Sequence, residues 1–206
     1  MYAVPSLDDG IAWAGDVFDA APIPGGSHAG LGTRNALLSF GDTYLEIIAP
    51  DSAQNLDGTF GERLAAIPEP GLVTWAAAGA LDVIAASLKS MGMASRGPAR
   101  TERHTAEGEL LVWELLFPAG HAFGGRMPFF IDWMACAHPS DTSPLGGALE
   151  RFSVVCERAD ELAPAFGELG LPAPQPGRDG LTLTVRARDD LVTLTTPPAL
   201  AGLSLA

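Results

Sequence analysis

The strongest constraint on this fold is an internal repeat. Three stretches follow one order: a short apolar strand, an aspartate at the start of a helix (Asp8, Asp82, Asp160), a Gly or Pro break, then further strands. A spacing of about 75 residues is too long for solenoid units and suits supersecondary cassettes. The first two cassettes read as strand, helix and three strands, and the third is abbreviated. The order predicts an α+β protein of paired βαβββ modules. Residues 1–50 form the first module with its first strand cut short, 51–70 a connector, 71–134 the second module, and 148–197 a partial third module packed on the same core.

Local signals agree with that division. Ser6 followed by Asp9 starts a helix, and Ile11, Ala14 and Phe18 give it an apolar stripe. A hairpin then runs from Pro24 to Pro50, turning at Gly41-Asp42. In the connector, 64–67 is one helical turn. Residues 72–75 open the second cassette, Leu81, Ile84, Leu88 and Met91 have helical spacing, and strands fall at 100–104, 110–117 and 128–133. The third has a strand at 152–156, a helix with Leu162, Phe166 and Leu169, and strands at 181–185 and 191–195.

The first hairpin carries the chemistry. Strand alternation puts Tyr44, Glu46 and Ile48 on one face and Leu45, Ile47 and Ala49 on the other, both mostly apolar. An unpaired carboxylate there would cost several kcal/mol. Glu46 therefore needs an arginine, a hydrogen-bond network, a metal ion or a raised pKa. The same hairpin supplies His28 from a Gly-rich loop, with Thr33, Arg34 and Asn35 beside it, and polar groups converging on an apolar wall make a ligand site.

Matching the acid of TYLEIIAP to the acid of PFFIDWMA, an offset of one residue between the two strings, pairs Glu46 with Asp132 and predicts two carboxylates facing one another across a pseudo-twofold axis. Arg126 and Arg34 either neutralise these acids or bind an anionic or carbonyl group of a substrate. Glu114 shares a strand face with Val112 and Leu116 and lines the cleft, or else is a salt-bridged core acid. Trp113, Phe129, Phe130 and Trp133 either supply an apolar wall for a ligand, which needs only one or two of them, or pack in an ordinary core. His104 and His121 read as surface residues, and His138 as a turn residue at the rim.

Composition excludes several classes. The net charge is −13, with a single lysine, Lys89, so nucleic acid and anionic membrane are repelled. No basic, apolar leader opens the sequence, and Cys136 and Cys156 lack metal or redox spacing. The expectation is a cytoplasmic protein.

The stretch GGSHAGLGTRNALLSFGDTYLEIIAPD, followed by a strand-helix opening and GRMPFFIDW, resembles the glyoxalase-like branch of the vicinal oxygen chelate superfamily, which also holds bleomycin-resistance proteins and dioxygenases. The resemblance implies paired modules whose sheets curl, open, around a cleft, and a homodimer. It implies an enzyme acting on a small carbonyl, dicarbonyl or oxygen-rich metabolite, of lyase, isomerase or dioxygenase type. It places Glu46 and Asp132 at last-strand metal positions, with a divalent ion (Zn, Mn, Ni or Mg) as Lewis acid and Glu46, Asp132 or His28 moving a proton. Thr33, Arg34, Asn35, Trp113, Glu114, Arg126, Phe130 and Trp133 then bind substrate. The first-strand His of the family would fall where Met1 stands, and Val73, Thr74 and Trp75 occupy the second-module counterpart, where only Thr74 carries a ligating oxygen. A metal-free protein that sequesters a small hydrophobic molecule is therefore the alternative.

Overall fold

The computed structural model describes residues 1–104 and 110–203, the side chains of 103 and 104 excepted, so the surface reading of His104 falls outside it. In chain order, β1 (Tyr2–Ala3), α1 (Leu7–Phe18), β2 (Ile23–His28), β3 (Thr33–Ser39) and β4 (Tyr44–Pro50) come first, then α2 (Phe60–Ala65) and β5 (Gly71–Leu72). Next are β6 (Ala76–Ala78), α3 (Leu81–Ser90), β7 (Ala94–His104), β8 (Leu110–Ala119), β9 (Phe129–Asp132) and α4 (Pro139–Thr142). The last are β10 (Ala148–Cys156), α5 (Ala159–Glu168), β11 (Gln175–Pro176), β12 (Gly180–Ala187) and β13 (Asp190–Thr195). Among the described residues no helix is long and apolar enough to cross a membrane.

The chain divides into two compact units. Unit one comprises Met1–Leu72, Ala137–Phe152 and Thr182–Leu200; unit two comprises Val73–Cys136, Ser153–Leu181 and Ala201–Ala206. The sheet of unit one has the order β2-β3-β4-β1-β5, and that of unit two β6-β9-β8-β7. Each has the same wiring. The opening strand lies parallel beside the last strand of its module, Tyr2 against Ile47 in one and Ala77 against Phe130 in the other, and the three later strands form an antiparallel meander. The third sheet, β11-β10-β12-β13, has a different order.

In unit one α1 forms as its sequence signals require. The Ser6 hydroxyl accepts from the Asp9 amide, and Asp8 and Asp9 in the first turn suit the helix dipole. Its buried face, Leu7, Ala14 and Phe18, meets the sheet, with Phe18 against Phe40 at 5.2 Å and Trp13 stacked on Tyr2 at 4.7 Å. Leu45, Ile47 and Ala49 are the buried face of β4. In unit two the matching layer is Leu81 and Leu88 of α3 over Leu116 and Phe130.

The opening of the second module differs from the sequence reading. Residues 72–75 are not its first strand. Gly71 and Leu72 form β5, which pairs antiparallel with β1 in unit one, and the first strand of the module is β6. β1 presents a second hydrogen-bonding edge, and the chain satisfies it before crossing into the next module. Thr74 accordingly leaves the position of a first-strand ligand to three alanines, Ala76–Ala78, which have no ligating atom in their side chains. The connector turn is also longer and earlier than expected, α2 beginning at Phe60.

Candidate functional site

The most organised polar cluster lies on the hairpin of unit one. The β2–β3–β4 register puts His28 opposite Thr33, and Thr33, Asn35 and Leu37 on the same face as Glu46 and Ile48, turned away from α1. The Asn35 side-chain amide donates to Glu46 Oε1 at 2.7 Å. His28 Nε2 stands 3.9 Å from the same oxygen, and His28 Nδ1 is 2.9 Å from Thr33 Oγ1. The Glu46 side chain is only 14% exposed, so these neighbours, rather than bulk water, solvate the acid. Glu46 Oε2 takes part in none of these contacts.

Space for that arrangement comes from glycine. β2 carries a bulge between Pro24 and Gly26, and a Cβ on Gly25 would lie 2.1 Å from Asn35 Oδ1. Any side chain there would push the amide off Glu46. Asn35 Oδ1 itself is buried without a hydrogen-bond partner, so the amide is held from its donor side alone.

A clasp that the sequence reading missed holds the His28 loop. Asp51 is buried and accepts from the Ala53 amide at 3.1 Å and from Gln54 Nε2 at 2.9 Å, while Gln54 Oε1 accepts from the Gly30 amide at 3.1 Å. Hydrogen bonds from Gln54 and Ser27 hold the Asp51 carboxyl below its ordinary pKa, against the opposing effect of burial. On the other side, the Gly61 amide donates to Leu31 O, and a Cβ on Gly61 would stand 1.9 Å from Gly32 O. Only an aspartate at a strand end followed by a Gln three residues later hinted at this clasp.

Other candidates go elsewhere. Arg34 pairs with Asp8 at 3.6 Å, largely in solvent, instead of neutralising Glu46. Arg126 is buried and pairs with Asp179 at 3.0 Å. Asp132 Oδ1 accepts from the Met134 amide at 2.7 Å, a local turn bond. Phe130 belongs to the core beneath α3. Trp113 and Trp133, 5.5 Å apart, are on the opposite strand parity from Phe130, the parity on which Phe117 and Phe129 stack at 5.6 Å. His121, expected at the surface, is half-buried.

The pairing of Glu46 with Asp132 is one residue out of register. Glu46 lies on the face away from α1, whereas Asp132 shares parity with Phe130 and Leu116, which pack under α3. The face equivalent to that of Glu46 carries Phe129 and Ile131. A slip of one residue exchanges the two faces of a strand, so the offset that matches the two acids moves Asp132 to the wrong face, whereas the strings set level place Ile131 at the position of Glu46. Asp132 sits instead in a cross-strand row with Glu114 and Arg100.

These residues do not complete a divalent-metal site. His28 and Glu46 are two ligand types close together, but Glu46 Oε1 is already bound by the Asn35 amide. Among the described residues no three His, Cys, Asp or Glu side chains converge.

Both wiring and sequence identify the class. Two units with a parallel first-to-last strand pair and a three-strand meander define an α+β fold of paired βαβββ modules, with open sheets. The glyoxalase-like domain family matches residues 1–170, and the chain belongs to this family, within the vicinal oxygen chelate superfamily. Solved structures of similar fold include a hypothetical protein from Staphylococcus aureus, 18% identical with a TM-score of 0.68 over 93% of this chain and 82% of that one. A methylmalonyl-CoA epimerase variant from Streptomyces coelicolor, in complex with 2-nitronate-propionyl-CoA, is 19% identical with a TM-score of 0.50 over 67% and 94%. The Mycobacterium tuberculosis methylmalonyl-CoA epimerase is 20% identical with a TM-score of 0.45 over 63% and 81%. Among curated proteins nothing matches the sequence.

Proposed function

We propose that the chain is a glyoxalase-like enzyme acting on a small carbonyl or dicarbonyl metabolite, with Glu46 as the group that moves a proton. The observation that carries this reading is the anchoring of Glu46. One oxygen is fixed by Asn35 at 2.7 Å, the side chain is largely shielded from water, and Oε2 is outside that bond. A carbonyl acidifies the neighbouring C–H. A carboxylate held in this way takes that proton, and the electron pair passes to the carbonyl oxygen as an enolate. His28 and Thr33, hydrogen-bonded to each other beside Glu46, supply a donor for the developing oxyanion, and the proton then returns from Glu46 to carbon. No step is routed through a metal, because the described residues do not assemble a ligand set for one.

The test is solvent exchange. Thiol adducts of 2-oxoaldehydes, with acyl thioesters added because the Streptomyces relative is named an epimerase, are incubated with the protein in D₂O, and the C–H beside the carbonyl is followed by proton NMR. The expected result is enzyme-dependent exchange that Glu46→Gln slows by about 10²–10⁴-fold with melting preserved. Exchange unaffected by that substitution removes Glu46 from the reaction. The alternative, a metal-free protein sequestering an apolar molecule, draws on the aromatic face of Trp113, Phe117, Phe129 and Trp133. It predicts saturable quenching of tryptophan fluorescence by an apolar ligand and no exchange with any carbonyl compound.

A further inference from the structure

Unit two holds its own cavity, of about 360 Å³, beside the hairpin of β7 and β8. Its lining includes Arg96, His121 and Arg126, with Gly120, Gly124 and Gly202 contributing backbone. In the whole chain acids outnumber Lys and Arg by 25 to 12, yet no acid lines this cavity. A local reversal of sign against a global charge of −13 marks a place where an anion is favoured.

The two arginines have different roles. Arg126 is only 6% exposed; it pairs with Asp179 at 3.0 Å and donates to the Ala201 carbonyl at 3.0 Å, while its Nε is buried with no partner. One carboxylate and one carbonyl thus serve a group with five N–H donors. Arg96 is exposed, lies opposite Phe117 in the β7–β8 ladder, and makes no ion pair among the described residues. Two guanidinium charges against one carboxylate leave an uncompensated positive charge at the cavity. His121 is a staple here and not a third cation. Its Nδ1 accepts from the Phe123 amide at 3.3 Å, and burial, reinforced by the charge of Arg126, pushes its pKa down. The loop backbone stays bare, since Gly120 has a φ of 74° and open space where a Cβ would point.

We propose that this cavity is a second binding site, taking a small oxyanion, a phosphate or carboxylate group, on Arg96 with the buried charge of Arg126 behind it. Arg96 supplies a planar pair of donors suited to two oxygens of one group. The site goes beyond the carbonyl chemistry proposed for Glu46 and stands independently of it.

The experiment titrates the protein with inorganic phosphate in one arm and succinate in the other, by calorimetry and by NMR of the His121 ring protons, with sodium chloride at matched ionic strength as control. The expected result is saturable one-site binding that moves the His121 signals and that Arg96→Gln weakens at least tenfold without changing the melting temperature. The tighter arm identifies the class of oxyanion. Glu46→Gln should leave this binding intact. The proposal is overturned if neither anion binds saturably, or if Arg96→Gln leaves the affinity as it was.

Discussion

The bond between Asn35 and Glu46 can be tested energetically without knowing the substrate. At 2.7 Å it is a short, charge-assisted hydrogen bond to a side chain only 14% exposed. Bonds of this kind contribute about 1.5–3 kcal/mol, against roughly 0.5–1.5 kcal/mol for neutral pairs. Asn35→Ala removes the donor and leaves a shielded carboxylate with less solvation, so a loss of about 2–3 kcal/mol follows. At roughly 2–4 °C per kcal/mol for a chain of this size, that is a fall of about 4–12 °C in melting temperature. Glu46→Gln keeps an acceptor for Asn35 and costs less. In the Asn35→Ala background it costs less still, because a neutral amide tolerates a missing donor better than an anion does. A double-mutant cycle by urea unfolding at pH 7 should therefore give a coupling energy of about 1–2 kcal/mol. Additive single substitutions, with coupling below about 0.5 kcal/mol, would refute the bond as the anchor of Glu46.

Two further outcomes follow from the packing and the loop clasp. Phe130→Ala, at a side chain 1% exposed beneath α3, should lower stability by about 3–5 kcal/mol in denaturant unfolding, marking Phe130 as core in unit two. Asp51 has its carboxyl pKa lowered by Gln54 and Ser27, so the unfolded chain takes up this proton first. Its stabilisation is full above about pH 4 and is lost as pH falls through the lower folded value, and Asp51→Asn should flatten the acid limb of a melting-temperature profile; an unchanged limb would remove Asp51 from the clasp.

The fold was legible because its signals are local and repeated. Ser6, the apolar stripes of α1 and α3, and the alternation along β3 and β4 each act within a few residues, and they recur in the same order in both modules. The hairpin that gathers His28, Thr33, Asn35 and Glu46 is legible for the same reason, since a tight antiparallel pair joins residues close in sequence. Exchange of partners between distant segments was not. Arg126 meets Asp179 from 53 positions away, and Arg34, on the strand face opposite to that of Glu46, pairs with the exposed Asp8 instead.

What the amino-acid order determined by itself is the pair of modules, the starts of α1, α3 and α5 and the polar hairpin, encoded in capping signals and in periodicities of 2 and 3.6 residues. Tertiary structure alone decided which face each acid uses. It turned Asp132 to the parity of the α3 core and set Phe130 beneath that helix, it spent β5 on the free edge of β1, and it half-buried His121 among basic neighbours. The physical reason is that strand register and edge pairing are set by long-range burial and hydrogen bonding. A shift of a single residue leaves the local pattern almost unaltered and reverses every side chain.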